Sequence, residues 1–420
     1  TLQAARDRLV GEERADQARL RSVPGAADIY LGEGPPPGTL AFVFPGQGSQ
    51  SIGMLRDLIC RFPIAFEAFD ALGRLEDSAH RHLSEWIYPV NEFSTTAASR
   101  QTQELRATEI AQPAIGAVSW AAYRLLRGFG IEPECVAGHS FGELTALAAA
   151  GVYSEAALAK LARARGRLMA SCRGDRGGML AVFASEDQIE TLIVARSLDV
   201  TLANKNSKNQ VVVSGPTQEL IRLMEFCQEA GIATKLLDVS AAFHSSFVAE
   251  VEAPFRSILQ SVEWKAPAVP VFANSTGARY PQDRDAARDL LSGQITRPVE
   301  FVRMIKAMHD AGARTFVEVG PDCKLTGLIR SILEGQAHHS MALDASSRQP
   351  WGRENLRDLA RVLARLGALG YPVHLSLWDP REAAQRPRGK RSPGKSMTVP
   401  VCGAHPRPQP KGRPSSQVRE

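Results

Sequence analysis

Val136-Ala137-Gly138-His139-Ser140-Phe141-Gly142-Glu143 is a short apolar run that turns through two glycines around one serine and then continues as a helix. This is the pattern of a nucleophile elbow. In a G-x-S-x-G turn the small flanking residues let the backbone fold tightly, so the serine oxygen projects above a sheet beside the amides of a helix start.

The flanking segments fit that reading. Upstream, Leu40 to Phe44 is a five-residue apolar strand that runs into Pro45-Gly46-Gln47-Gly48-Ser49-Gln50. The glycines there allow close backbone approach, but the lysine of a phosphate-binding loop and the spacing of a dinucleotide fingerprint are both missing. A plain tight turn and an oxyanion-holding loop are the two readings left. Residues 51 to 130 read as several helices, with Gln112-Pro113 opening an apolar one through Leu126, and Pro133 precedes the strand Cys135 to Ala137. Beyond the elbow, Leu144 to Ala150 is a small-residue helix stopped by Gly151, and Ser154 can cap the next.

That next helix places Leu158, Leu161, Ala162, Leu168 and Met169 on one stripe, and Arg165 falls on it. An inward guanidinium needs a partner, since unpaired burial costs several kcal/mol. A core carboxylate such as Glu143 is one candidate. The carboxylate of a substrate, gripped bidentately, is the other.

From residue 178 the pattern becomes strand, helix, strand, strand, helix, strand: Met179 to Phe183, Asp187 to Ala195, Val200 to Asn204, Gln210 to Ser214, Gln218 to Ala230, Ala233 to Val239. That order is the split βαβ, ferredoxin-like signature, sized for an inserted subdomain. Asn204 to Asn209 is read as a polar hairpin turn, with a ligand border as its other reading. Val269 to Phe272 and Thr315 to Val319 then add strands, ending at Asn274-Ser275-Thr276-Gly277 and Gly320-Pro321. Alternating strands and helices imply an α/β fold, a mostly parallel, α/β-hydrolase-like sheet covered on both faces, with the ferredoxin-like subdomain inserted. The expected layout is a linker over 1–38, a core over 39–177 and 241–340, the subdomain over 178–240, a second linker with an amphipathic helix over 341–380, and a disordered basic tail over 381–420.

Composition excludes several classes. Hydrophobic content of 44% and charged content of 23% are those of an ordinary globular protein. The net charge of +5 misleads, because residues 381–420 hold ten basic and two acidic residues, leaving a body of net charge −3. Nothing electrostatic favours nucleic acid as a partner. Cys60, Cys135, Cys172, Cys227, Cys323 and Cys402 are widely spaced without any C-x-x-C, which predicts free thiols in a reducing compartment and no metal site. No apolar run reaches the length of a spanning helix and no basic-then-apolar signal opens the chain, so a cytoplasmic protein without membrane contact is expected. The chain starts at Thr1 in a charged segment, which leads us to expect a domain of something longer or a processed chain.

A serine hydroxyl needs a base. Of nine histidines, His139 is aimed away from the serine oxygen by the elbow, and His80, His82, His309, His338, His339, His374 and His405 sit in polar stretches. His244, in the small-residue turn Ser240-Ala241-Ala242-Phe243-His244-Ser245, suits the same sheet edge as Ser140. Asp187, Asp199 and Asp238 lie between the two in sequence, but they belong to the inserted subdomain or close its last strand. A Ser–His dyad oriented by a backbone carbonyl therefore fits better than a full triad.

Phe42-Val43-Phe44-Pro45-Gly46-Gln47-Gly48-Ser49-Gln50, Gly138-His139-Ser140-Phe141-Gly142-Glu143, Arg165-Gly166-Arg167-Leu168-Met169 and Ala242-Phe243-His244-Ser245 together resemble the malonyl-CoA:acyl carrier protein transacylases and the acyltransferase domains of polyketide synthases. The resemblance covers roughly residues 40 to 335, and the wording from Phe141 to Leu147 leans toward the iterative polyunsaturated-fatty-acid or enediyne type. It implies no bound cofactor and two substrates, malonyl-CoA and the phosphopantetheinylated acyl carrier protein. It also implies neighbouring synthase domains, with a ketosynthase on the N-terminal side.

By the same resemblance, Ser140 takes the malonyl group and His244 serves as base and then acid. The amides of Gln47 and Phe141 hold the oxyanion, the Gln294 carbonyl orients the histidine, Gln112 lies near the pocket, and Arg165 binds the malonyl carboxylate. Phe243 before the histidine resembles the malonyl-selective form, although Ala241 stands where many malonyl members have His. Two other classes remain beside it: a serine acyl-hydrolase of thioesterase or editing type, and a non-catalytic docking module of a synthase.

Overall fold

The computed structural model describes residues 21–22, 28–74, 82–90, 94–171, 177–239, 241–349 and 352–378. The chain divides into two compact units, Thr1–Leu377 and Trp378–Glu420. The expected tail over 381–420 lies outside the described residues, and all labelled elements belong to the first unit. Strand β1 (Thr39–Phe44) leads through α1 (Pro63–Gly73) and α2 (Thr108–Gly128) to β2 (Cys135–Gly138), α3 (Gly142–Ala149) and α4 (Glu155–Ala170). A second group follows: β3 (Gly178–Val182), α5 (Glu186–Ala195), β4 (Thr201–Ser207), β5 (Gln210–Gly215), α6 (Thr217–Glu229) and β6 (Thr234–Leu236). The chain then continues through α7 (Glu252–Gln260), β7 (Val271–Phe272), α8 (Arg284–Gly293), α9 (Phe301–Asp310), β8 (Ala313–Glu318), α10 (Lys324–Ile332), β9 (His339–Ala342) and α11 (Asn355–Ala368).

The main sheet is parallel throughout, in the order β9-β8-β1-β2-β7. Its central strand is apolar on both faces because both faces are covered. Phe42, Phe44 and Val136 pack with α2, α3 and α4, while Ala41, Val43, Ala137 and Phe272 pack against Phe301, Met304 and Ile305 of α9 and Ile329 of α10. Register brings three strand ends to one edge. Phe44 pairs with Gly138, and Ala137 pairs with Phe272. The loop after β1, the turn after β2 and Asn274 just past β7 therefore emerge side by side, where open α/β sheets bind ligands.

The second group forms an antiparallel sheet in the order β4-β5-β3-β6 with its own core of Leu180, Val182, Val211, Val213, Leu220 and Leu223. This is the ferredoxin-like arrangement. Its edge strand is stitched to the main body, since Lys205 N donates to Val299 O at 2.9 Å and Val299 N to Ala203 O at 2.8 Å. The Lys205 ammonium also sits between Glu186 and Glu300, at 2.7 and 2.8 Å.

Several boundaries differ from the sequence reading. The helix expected to open at Gln112-Pro113 starts at Thr108, so Pro113 lies inside it. Proline forfeits one helical hydrogen bond, but burial of Ala111, Ala114, Ile115 and Val118 on this helix outweighs that loss. The Asn204–Asn209 turn shrinks to Lys208-Asn209, because β4 continues to Ser207 with Ser207 still paired to Gln210. The last small strand is Thr234–Leu236, shorter than expected. Within the expected N-terminal linker, Arg21–Ser22 pairs antiparallel with Tyr30–Leu31.

Candidate active site

The elbow is a backbone device. Ser140 has φ +50°, in the left-handed region that a side chain rarely adopts. Its flanking glycines are dictated by contact: a Cβ on Gly142 would overlap the Phe44 carbonyl, and one on Gly138 would overlap Gly142 itself. The turn is tied down by His139 N to Phe44 O at 2.9 Å and Glu143 N to Ser140 O at 3.1 Å. A residue the sequence reading did not assign completes it. Asn274, fully buried, accepts the Ser140 amide on Oδ1 at 2.7 Å and donates from Nδ2 to Gly138 O at 2.5 Å.

His244 reaches the serine from the segment after the small sheet. Its backbone is also left-handed, at φ +59°, and is fixed by His244 N donating to Ile295 O at 3.1 Å. Nδ1 faces two carbonyl oxygens, Gln294 O at 3.0 Å and Arg297 O at 3.1 Å. Carbonyls only accept, so Nδ1 carries the hydrogen, and Nε2 is free to accept from Ser140 Oγ, 2.7 Å away. Burial first, then the positive charge of Arg165, pushes the imidazole down to about 3, although the two carbonyls favour the proton. The ring is therefore neutral at ordinary pH. Asp187, Asp199 and Asp238 make no hydrogen bond to it: Asp238 pairs with Arg106 at 2.6 Å, Asp199 N with Glu219, and Asp187 O with Thr191.

Arg165 enters from α4 and is 1% exposed. Its Nη2 donates to Gln294 Oε1 at 3.1 Å, and its Nε is buried with no hydrogen-bond partner. Gln294 thus makes three contacts: its backbone carbonyl on His244, its Oε1 on Arg165, and its Nε2 donating to Ser140 O at 2.7 Å. Glu143, the core partner considered for Arg165, instead accepts from Tyr280 Oη at 2.5 Å and Asn274 N at 3.3 Å. Burial pushes Glu143 up to about 7, and burial pulls Arg165 down to about 10.

The glycine loop closes on the same point. A Cβ on Gly46 would lie 3.4 Å from Phe141 N, so the backbone beside Gln47 runs against the start of α3. The Gln47 side chain donates to Thr108 Oγ1 at 3.0 Å and accepts from Gln112 Nε2 at 3.2 Å, while Gln112 Oε1 stays unpartnered. Phe243 is buried, and its carbonyl accepts from Ser214 Oγ of β5 at 2.7 Å. His139 turns away from the serine, as expected of an elbow, to meet Asn206 Oδ1 at 2.8 Å and the edge of Phe301. Asn206 belongs to the segment read as a hairpin turn or ligand border, and it stands against the elbow. The surface cavities of about 370 and 520 Å³ beside Lys160 and Met224 are lined by none of these residues. Among the described residues, no three His, Cys, Asp or Glu side chains stand together as a metal site, and no helix is long and apolar enough to cross a membrane. Cys60, Cys135, Cys227 and Cys323 are free thiols; Cys172 and Cys402 lie outside the described residues.

A parallel sheet that brings a serine elbow, a carbonyl-oriented histidine and a buried arginine to one edge defines an α/β protein of the acyl-transfer type. The chain belongs to the acyl transferase domain family, which matches residues 41–371. It is 35% identical over 350 residues to Spectinabilin polyketide synthase system protein NorB of Streptomyces orinoci, covering 83% of this chain and 16% of that protein. It is 36% identical over 311 residues to Phenolphthiocerol synthesis polyketide synthase type I Pks15/1 of Mycobacterium marinum, covering 74% and 14%. The chain thus spans a small part of the length of these relatives.

Among solved structures, the acyltransferase domain from the second module of the salinomycin polyketide synthase superposes with a TM-score of 0.73 at 31% identity, covering 92% of this chain and 85% of that one. The malonyl CoA-acyl carrier protein transacylase of Clostridium perfringens gives 0.68 at 28% identity, covering 79% and 98%. A malonyl-transacylase solved in complex with its type II acyl-carrier protein gives 0.65 at 30% identity, covering 72% and 95%.

Proposed function

We propose that this domain moves a malonyl unit from malonyl-CoA, through an ester on Ser140, to the phosphopantetheine thiol of an acyl carrier protein. The observation that carries the reading is Arg165, a buried cation with an unpartnered Nε next to the Ser140–His244 pair. An acyl group without a charge has no use for it, whereas the free carboxylate of malonate fits a guanidinium bidentately.

His244 Nε2 takes the Ser140 proton as Oγ attacks the thioester carbonyl. The developing oxyanion lies toward the amides of Gln47 and Phe141, and the Gln294 carbonyl keeps the imidazole tautomer fixed. Collapse of the adduct expels the CoA sulfur, which takes the proton back from His244. The carrier thiol repeats the sequence in reverse, in ping-pong order, and leaves Ser140 free. Phe243 crowds the carbon that would bear a branch, with Gln112 bordering the pocket.

In this reading residues 39–177 and 241–340 carry the chemistry, with 178–240 as the small lobe. The domain works in the cytoplasm beside the other domains of a synthase, with a ketosynthase preceding it. The test is intact-mass spectrometry after mixing with malonyl-CoA, which should leave one malonyl group, lost in Ser140→Ala and discharged by added holo carrier protein. Rapid release of free malonate with no adduct would identify a hydrolase instead.

A further inference from the structure

Glu143 is the second residue of α3, directly behind the elbow, and it is completely buried. Tyr280 Oη and Asn274 N occupy its Oε1, while Oε2 is buried with no hydrogen-bond partner. Arg165 mirrors it, with Nη2 on Gln294 and Nε unpartnered. The Gln294 side chain joins Arg165 to the Ser140 carbonyl and lies close enough to Glu143 to favour its charged form. The cation and the carboxylate therefore compensate each other through space while donating and accepting elsewhere.

We propose that Glu143 is the resident counter-charge of Arg165, and that its free Oε2 takes up a proton from solvent when a substrate carboxylate occupies the guanidinium. The inference rests on the malonyl reading above. One buried cation balances one buried anion. A second carboxylate arriving at Arg165 places two negative charges around a single positive one in a water-poor site, where like charges disfavour ionisation strongly. The incoming carboxylate gains the direct contact. Glu143, with an oxygen that nothing satisfies, is the group that yields.

The neighbours leave this role to Glu143. Tyr280, following β7, and Tyr153, preceding α4, are both pushed well above the ordinary phenol range by burial and by the Glu143 charge. His244 and His139 are held low by burial and stay neutral. Arg165 remains charged, at about 10. Burial, opposed by Tyr280, Asn274, Gln294 and Arg165, puts Glu143 at about 7 in the empty site. Bringing a second anion to Arg165 moves it further up, so malonyl binding weakens as pH rises past neutrality.

The experiment is calorimetric binding of malonyl-CoA and acetyl-CoA to the full chain bearing Ser140→Ala, in buffers of different ionisation enthalpy. Both thioesters carry the same phosphates, so their difference isolates the carboxylate. Malonyl-CoA should take up about half a proton more than acetyl-CoA at pH 7, rising toward one at pH 8, and its affinity should fall by up to about tenfold per pH unit above that. Glu143→Gln should abolish the extra uptake. Tyr280→Phe, which removes a donor that favours the carboxylate, should move the rise in uptake to higher pH, and it decides the matter if Glu143→Gln fails to fold. Arg165-dependent malonyl binding without extra uptake, or an unmoved window in Tyr280→Phe, would overturn the role of Glu143 and leave the malonyl reading intact. Equal binding of both thioesters, unchanged by Arg165→Ala, would overturn the malonyl reading and this inference with it.

Discussion

Asn274→Ala is the perturbation that most sharply separates the elbow from its surroundings. The side chain contacts no other part of the dyad, yet it joins the two flanks of Ser140, accepting the Ser140 amide at 2.7 Å and donating to Gly138 O at 2.5 Å. Alanine leaves both main-chain groups buried without their partner. Each such group costs about 1–3 kcal/mol, so the folded state should lose about 2–6 kcal/mol, toward the lower end where a water enters the space. The left-handed backbone of Ser140 at φ +50° also loses its clamp, and Oγ no longer stays within 2.7 Å of His244 Nε2. We expect chemical denaturation to show the stability loss, and single-turnover acylation followed by mass spectrometry to slow by at least about tenfold, or about 1.4 kcal/mol in barrier. Stability within about 0.5 kcal/mol of the parent, together with an unchanged acylation rate, would refute the claim that this amide holds the elbow.

At saturating malonyl-CoA the acylation rate should stay flat as pH falls from about 8 to about 5, because burial holds His244 down to about 3 in the folded protein; a loss centred near 6.5 in a pH–rate profile would contradict the neutral-base geometry. The same depression has a sign for stability: between about 3 and 6.5 the unfolded chain binds the His244 proton that the folded chain refuses, so stability from this group falls as pH drops through that window in acid titrations of unfolding. Gly142→Ala should cost at least about 3 kcal/mol or give no folded protein, since its Cβ would overlap the Phe44 carbonyl. Gly151→Ala, with nothing within 4 Å but φ +77°, should cost only about 1–2 kcal/mol in a thermal melt.

What the sequence made legible was local. The glycines around Ser140 announce the elbow because only a residue without Cβ fits there, and the 3.6-residue stripe of α4 turned Arg165 inward, where it is found buried. The alternation of strands and helices was enough for a parallel sheet with an inserted ferredoxin-like lobe, because each element carries its own period. The parts that stayed hidden are non-local. Asn274 lies 134 residues from the amide it holds, and Tyr280 lies 137 residues from Glu143. Only the register of β2 against β7 brings them together. A polar residue immediately past a buried core strand, at the edge where ligands bind, was the available signal. The start of α2 was misplaced for a related reason, since the burial that carries the helix through Pro113 depends on neighbours remote in the chain.

We propose that Arg165 reads a carboxylate on the acyl group. This role is tested most directly by mixing the domain with equal malonyl-CoA and acetyl-CoA and weighing the acyl group left on Ser140, in the parent and in Arg165→Ala. A strong malonyl preference is expected in the parent, with its selective loss in the variant by about 2–5 kcal/mol of malonyl binding and acetyl transfer largely kept. Equal losses of malonyl and acetyl transfer in Arg165→Ala would contradict it.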